Sequence, residues 1–158
     1  MSQFEKYHPI LTAHYALDWL TKSRAIDVFH LYQLSGTTPL DMPTTATQIN
    51  QTMREIFRDQ KLVWGVSDRS SGQFVGQAGF DPIDTTTHRA RLRLDLLPAN
   101  EQPAALTELY QHLVAFGTTE LALTRLTVQL TTIDAQRAAI LTSLGFTTSD
   151  QLTFQYQK

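Results

Sequence analysis

Between residues 88 and 97 the chain alternates with unusual regularity. Ala90, Leu92, Leu94 and Leu96 fall on one side, and Arg89, Arg91, Arg93 and Asp95 on the other. A period of two describes a strand with one face buried and the other turned to solvent or a ligand. The same reasoning puts strands at residues 15–19, 125–131 and 151–156. Residues 61–68 and 74–80 are two runs of strand formers around Arg69-Ser-Ser-Gly72, which is a hairpin signal. The stretch 81–87, with Asp81-Pro82-Ile83-Asp84, reads as the connection to the next strand.

Other segments repeat at helical spacing. Ala25, Val28, Phe29 and Tyr32 recur at i, i+3, i+4 and i+7, predicting a helix over 23–34 that Ser35, Gly36, Pro39 and Pro43 then break. Residues 44–60 start with capping-type threonines and place Ile49, Met53, Ile56 and Phe57 on one stripe. From Glu101, the stripe Leu106, Leu109, Tyr110, Leu113 and Val114 predicts a helix ending near Gly117. Asp134 is placed to cap a last helix over 135–144, stopped by Gly145. The order β-α-α-β-β-β-α-β-α-β predicts an α/β (α+β) fold, a mixed and mostly antiparallel sheet flanked by about four helices.

Composition narrows the function classes. A chain of 158 residues with 42% hydrophobic and 18% charged residues reads as a single globular domain, spanning 1–158. It has no cysteine, which excludes disulfides and thiolate catalysis. His8, His14, His30 and His112 are scattered without metal-ligand spacing, so no metal is expected. The formal net charge of −2 gives no footprint for nucleic acid. Glu5, Lys6 and His8 interrupt the N-terminus, and no apolar run approaches the roughly 20 residues of a membrane span. A soluble, cytoplasmic protein without membrane contact is the expectation. The local cluster His88, Arg89, Arg91 and Arg93 is either the polar face of a strand or a positive rim for an anion.

Several fragments, in order, carry a family likeness. They are Leu11-Thr12 followed by Leu17 and Leu20; Val63-Trp64-Gly65-Val66; Ser71-Gly72; and Val75-Gly76-Gln77-Ala78-Gly79-Phe80. Leu96-Leu97-Pro98, Thr107-Glu108 and Leu144-Gly145-Phe146 complete the set. Together they resemble the GNAT superfamily of N-acetyltransferases, in the branch of the ribosomal-protein-alanine acetyltransferases.

The resemblance implies acetyl transfer from acetyl-CoA to a primary amine of a small molecule or a protein N-terminus. It also implies that the predicted fourth strand and the helix after it splay from a neighbour, with the diphosphate on free amides at the helix N-terminus. In this chain that loop is 99–107. The implied acyl-CoA contacts are Leu96, Leu97, Gln102, Ala104, Ala105, Leu106, Thr107 and Asp134.

The match departs from the family at its chemical positions. Glu101-Gln102-Pro103-Ala104-Ala105-Leu106 replaces a glycine-rich stretch, and Pro103 has no amide hydrogen to donate. Arg91 stands where a catalytic Glu is frequent, Asp134 where Asn is usual and Arg137 where Ser is usual. No Tyr lies between Asp134 and Thr153, and Tyr156 reads as a packing residue. Asp95, at the ligand-facing end of its strand, is then the candidate base, with His88 as a second. A GNAT-fold binding or interaction module without turnover is the alternative. The sequence leaves the oligomeric state open, a homodimer included.

Overall fold

The computed structural model describes residues 3–34 and 41–158. Its strands are β1 (Ile10–Leu11), β2 (Tyr15–Asp18), β3 (Leu62–Asp68), β4 (Phe74–Asp84), β5 (Arg89–Leu96), β6 (Arg125–Gln129), β7 (Thr147–Thr148) and β8 (Thr153–Gln157). The helices are α1 (Ala25–Leu34), α2 (Met42–Phe57), α3 (Pro103–Thr119) and α4 (Ala135–Ser143). The strands form one sheet in the order β1-β2-β3-β4-β5-β6-β8-β7. Among the described pairings only β5–β6 is parallel. The predicted α/β class, mixed sheet and four flanking helices are all present.

The alternation in β5 becomes two different faces. Ala90, Leu92, Leu94 and Leu96 are buried beside Leu106, Leu109, Tyr110 and Leu113 of α3. On that side Trp64 meets Phe116 edge-on, at 5.5 Å between ring centroids, and its indole N–H donates to the Tyr7 carbonyl at 2.7 Å. A buried leucine of this kind contributes about 2 kcal/mol, so α3 is held chiefly by its apolar stripe. The opposite face, carrying Arg93 and Asp95, looks toward α1 and α2.

Several boundaries differ from expectation. Helix α2 starts at Met42, because the Asp41 side chain accepts the Thr44 amide at 2.8 Å and caps it. Pro43 therefore sits in the first turn, where its missing N–H costs nothing, and opens the helix instead of breaking one. The other predicted breakers, Ser35, Gly36 and Pro39, lie outside the described residues. Strand β4 runs on through residues 81–84, and a register shift between Phe80 and Ile83 lets the ladder pass Pro82.

Helix α3 continues past Gly117 to Thr119. A Cβ at Gly117 would stand 2.8 Å from the Phe80 ring, so the glycine serves close packing within the helix. Two-residue strands β1 and β7 are additions, since two residues carry no readable period. Gly145, at φ 103, ends α4 as predicted. Among the described residues no helix is long and apolar enough to cross a membrane.

Candidate functional site

Strand β5 is paired very differently along its two edges. Its ladder with β4 runs from Gly76↔Leu96 to Asp84↔Arg89, but with β6 only Arg89↔Arg125, Ala90↔Leu126 and Arg91↔Thr127 are partners. Beyond Arg91 the two strands diverge, and a crevice of about 920 Å³ opens between them, lined among others by Leu94, Leu96, Val128, Leu130, Asp134 and Arg137. The Leu94 carbonyl points into this opening, where it accepts from Arg137. Main-chain groups alternate along a strand, so those of Leu92 and Leu96 face the same way. Leu97 faces away: its amide donates to the Val75 carbonyl at 2.8 Å and its carbonyl accepts from Asn100 at 2.8 Å.

Helix α3 begins beside the mouth of the crevice. Gln102 is its N-cap and makes no side-chain capping bond, and its amide is taken by the Asn100 carbonyl at 2.8 Å. Pro103 contributes no donor. The Leu106 amide closes onto the Gln102 carbonyl at 3.0 Å, and Thr107 stands one place further into the helical ladder. The amides of Ala104 and Ala105 are the pair left without a main-chain acceptor. A row of four donors at 104–107 thus reduces to two, because an α-helix satisfies its own amides from the fourth onward.

Arg137 crosses the crevice. It projects from the first turn of α4, is 9% exposed, and donates through Nη1 to the Leu94 carbonyl at 2.9 Å and to the Tyr110 hydroxyl at 2.8 Å. Its Nη2 donates to Glu101 Oε1, and its Nε lies 3.5 Å from Asp134 Oδ2. Burial lowers the proton affinity of this guanidinium, but Tyr110 and Glu101 beside it outweigh that and hold it above its ordinary value. Burial likewise pushes the Tyr110 hydroxyl up, against the pull of Arg137, so it stays protonated. Asp134 is the α4 cap, its Oδ1 accepting the Arg137 amide at 3.0 Å.

On the other face of β5, Asp95 Oδ2 accepts from Arg93 Nε at 2.9 Å and from Gln77 Nε2 at 3.0 Å. Arg93 also donates to Asp81 at 3.3 Å, and Asp81 in turn meets Lys61 at 3.4 Å. Burial would weaken the Arg93 charge, but Asp95 and Asp81 raise its proton affinity above the ordinary value. Arg93, Gln77, Asp81 and Lys61 border a second cavity of about 200 Å³ under α1 and α2, lined also by Tyr32 and Glu55, while Asp95 lines the crevice. Arg93 lines both cavities.

Arg91 closes the narrow end of the crevice, donating to the Asp81 carbonyl at 2.9 Å and to Gln129 on β6 at 3.3 Å. The basic cluster of the sequence therefore divides. Arg91 and Arg93 are tied into the sheet, while His88 is an exposed corner at φ 59 whose carbonyl receives Thr124 and Arg125. Tyr156 packs on Phe146 at 5.4 Å, as a packing residue should.

Two members of the site have roles not legible in the sequence, where Arg137 stands out only as a departure from the family's usual Ser. Tyr110 was absorbed into the apolar stripe of α3. Arg137 lies three and four residues before Ile140 and Leu141, so a lone cation on an otherwise buried stripe was the available signal. Among the described residues no three ligating side chains gather to hold a metal.

A splayed parallel strand pair, a helix starting at its mouth and a crevice along the free strand edge make up the arrangement that the family resemblance implies. Residues 13–147 match the family model of the acetyltransferase (GNAT) domain, and the chain belongs to that family. It is similar to an uncharacterized N-acetyltransferase, YoaA, of Bacillus subtilis strain 168, at 22% identity over 64% of this chain and 58% of that protein's length.

Among solved structures it resembles the ribosomal-protein-S5-alanine acetyltransferase of Vibrio fischeri, with a TM-score of 0.76 at 11% identity over 94% of this chain and 96% of the other. It also resembles a dodecameric spermidine N-acetyltransferase of Vibrio cholerae, with a TM-score of 0.74 at 10% identity over 92% and 94% of the two chains. At such identities the structural likeness speaks for the fold.

Proposed function

We propose that this protein transfers an acetyl group from acetyl-CoA to a primary amine of a small molecule or of a protein N-terminus. The observation that carries the reading is the unpaired edge of β5, from Leu92 to Leu96, facing a crevice of about 920 Å³. An extended amide-containing arm can pair with such an edge as an added strand would. In this reading the arm lies along Leu94 and Leu96, and Gln102, Ala104 and Ala105 meet the diphosphate. Asp134 borders the arm from α4, and Leu97, Leu106 and Thr107 contribute shape.

Acetyl-CoA supplies a thioester activated toward amines. The ammonium first loses one proton; the amine lone pair then forms the new C–N bond as the C–S bond breaks, and the coenzyme A thiolate leaves, taking up the second proton that nitrogen sheds as the amide forms. Asp95 is the group we assign to the first of these protons, since it lies on β5 where the crevice and the cavity under α1 and α2 share Arg93. Calorimetric titration with acetyl-CoA tests the cofactor, and an amine panel tests transfer. Spermidine and a peptide with N-terminal alanine head that panel, after the acceptors named for the two solved structures. Absence of heat at millimolar acetyl-CoA would end the proposal.

One observation favours a second reading, a binding module without turnover. Arg137 already bridges the crevice to the Leu94 carbonyl, and Pro103 and Glu101 stand at the helix mouth. Efficient acetylation of any amine in the panel would remove it.

A further inference from the structure

We propose that Glu101 is a built-in counter-ion that competes with the ligand's diphosphate for Arg137, so that the empty crevice is latched and the guanidinium takes over the anion-holding role of the missing loop glycines. The inference rests on the acyl-CoA reading above and concerns how that ligand is admitted and selected.

The partners of Arg137 are unequal. The Leu94 carbonyl belongs to a strand laddered to β4, and the Tyr110 hydroxyl to a ring that is 1% exposed. Asp134 is committed to capping α4. These three hold the guanidinium in place. Glu101 is different: its side chain is 41% exposed, and it sits between a short turn and Pro103, outside any helix or strand. It can turn into water and recover its hydration, while Arg137 cannot follow it.

A guanidinium buried at this level needs an anion. Carboxylate and phosphate offer it the same planar, charge-assisted recognition, so one can replace the other. Displacement of Glu101 leaves a fixed cation at the crevice wall beside the residue that leads into α3, with its contacts to the Leu94 carbonyl and the Tyr110 hydroxyl still anchored. The ligand therefore gains Arg137 only by displacing a resident carboxylate. This predicts selection for acyl donors bearing a diphosphate over the same thioester on bare pantetheine.

The test is calorimetry with acetyl-CoA and with acetyl-pantetheine on the natural chain, Glu101→Gln, Glu101→Ala and Glu101→Gln in an Arg137→Met background. Glu120→Gln, on the exposed far end of α3, controls for net charge. The thermal midpoint without ligand verifies that each variant is folded.

Both Glu101 variants should bind acetyl-CoA about fivefold to tenfold more tightly, as expected for a lost charge-assisted competitor at a half-exposed site, with acetyl-pantetheine unchanged. The gain should vanish without Arg137 and be absent in Glu120→Gln. Binding by the Glu101 variants alone, with none by the natural chain, also supports the latch.

Acetyl-CoA affinity that is unchanged or weakened overturns it and leaves the acyl-CoA reading standing. Equal tightening toward both ligands overturns it too, making Glu101 a steric block. Failure of every variant to bind acetyl-CoA removes the cofactor reading and the latch together.

Discussion

The two edges of β5 have the same residues available and opposite fates. Toward β4 the strand is laddered almost end to end, and Gly76 lets the two backbones close together. Toward β6 it is paired for three residues, and from Leu92 onward its main chain faces an opening bridged by one guanidinium. The closed edge is built by removing side chains, and the open edge is kept open while its polar groups are only partly satisfied. Stability should therefore reside on the first edge and ligand chemistry on the second, and substitutions can separate the two.

The largest effect belongs to the closed side of the sheet, where Gly79 faces β3 and Gly76 faces β5 across β4. A Cβ at Gly79 would stand 2.1 Å from the Leu62 carbonyl oxygen and 2.7 Å from Val63 Cα, where only backbone could yield. Gly79→Ala should cost about 3 kcal/mol, at the upper end of overpacking penalties, in urea denaturation. Gly76→Ala meets the Asp95 carbonyl oxygen at 2.2 Å and Leu96 Cα at 2.8 Å. It should cost a similar amount and in addition weaken acetyl-CoA binding, since it displaces the part of β5 that faces the crevice. Equal ligand affinity in the two folded variants would show that the edges are not coupled through the strand.

Next in size is Asp95→Asn, at the crevice, on the face of β5 that carries Arg93. The change is isosteric and keeps an acceptor for Arg93 and Gln77. If the carboxylate takes the ammonium proton, kcat falls about 100-fold with KM nearly unchanged, the low end of general-base contributions. A loss confined to KM, or to the thermal midpoint, would make Asp95 a structural partner of Arg93 and nothing more.

The closed edge was far more legible in the sequence than the open one. The β5 alternation could be read because burial on one face imposes a period of two, and the α3 stripe because Leu106, Leu109 and Leu113 all meet the same sheet. Asp134 announced its cap by standing before a helical pattern. What escaped was non-local or too short. The β4 extension passes a proline through a bulge, β1 and β7 have two residues each, and the divergence of β5 from β6 depends on a partner some 35 residues away in register. Arg137 was visible only as a departure from the family's Ser, because its charge hid the buried stripe it belongs to. Of the positions carried over by family likeness, Leu97 has both main-chain groups engaged, which only the fold could reveal.

A smaller effect is expected from the bridge across the open edge. Arg137→Met removes the donor to Leu94 and Tyr110 but fills much of the same volume, and Glu101 can return to water. The cost should be about 1–2 kcal/mol by denaturation, that of leaving buried acceptors unpaired. A much larger loss would mean that the guanidinium holds α4 to the sheet as a structural strut.

The smallest effect concerns a contact that ties α3 to the opposite end of the sheet. Glu108 accepts from Thr12 Oγ1 at 2.6 Å and the His14 amide at 2.8 Å through Oε2, and meets His14 Nδ1 at 2.6 Å through Oε1. Burial pushes its carboxyl up, but these hydrogen bonds and the neighbouring imidazole outweigh burial and hold it below the ordinary value. A carboxyl depressed on folding adds stability that is complete above its unfolded-state value and disappears as the pH falls through the folded-state one. Glu108→Gln should therefore cost about 1 kcal/mol near neutral pH, the worth of one charged hydrogen bond. Its stability curve should then converge on that of the natural chain in acid. If the gap persists unchanged at low pH, Glu108 acts through shape and its charge is idle. The closed end of the fold would then owe its stability to packing alone, in sharper contrast with the charged bridge of the crevice.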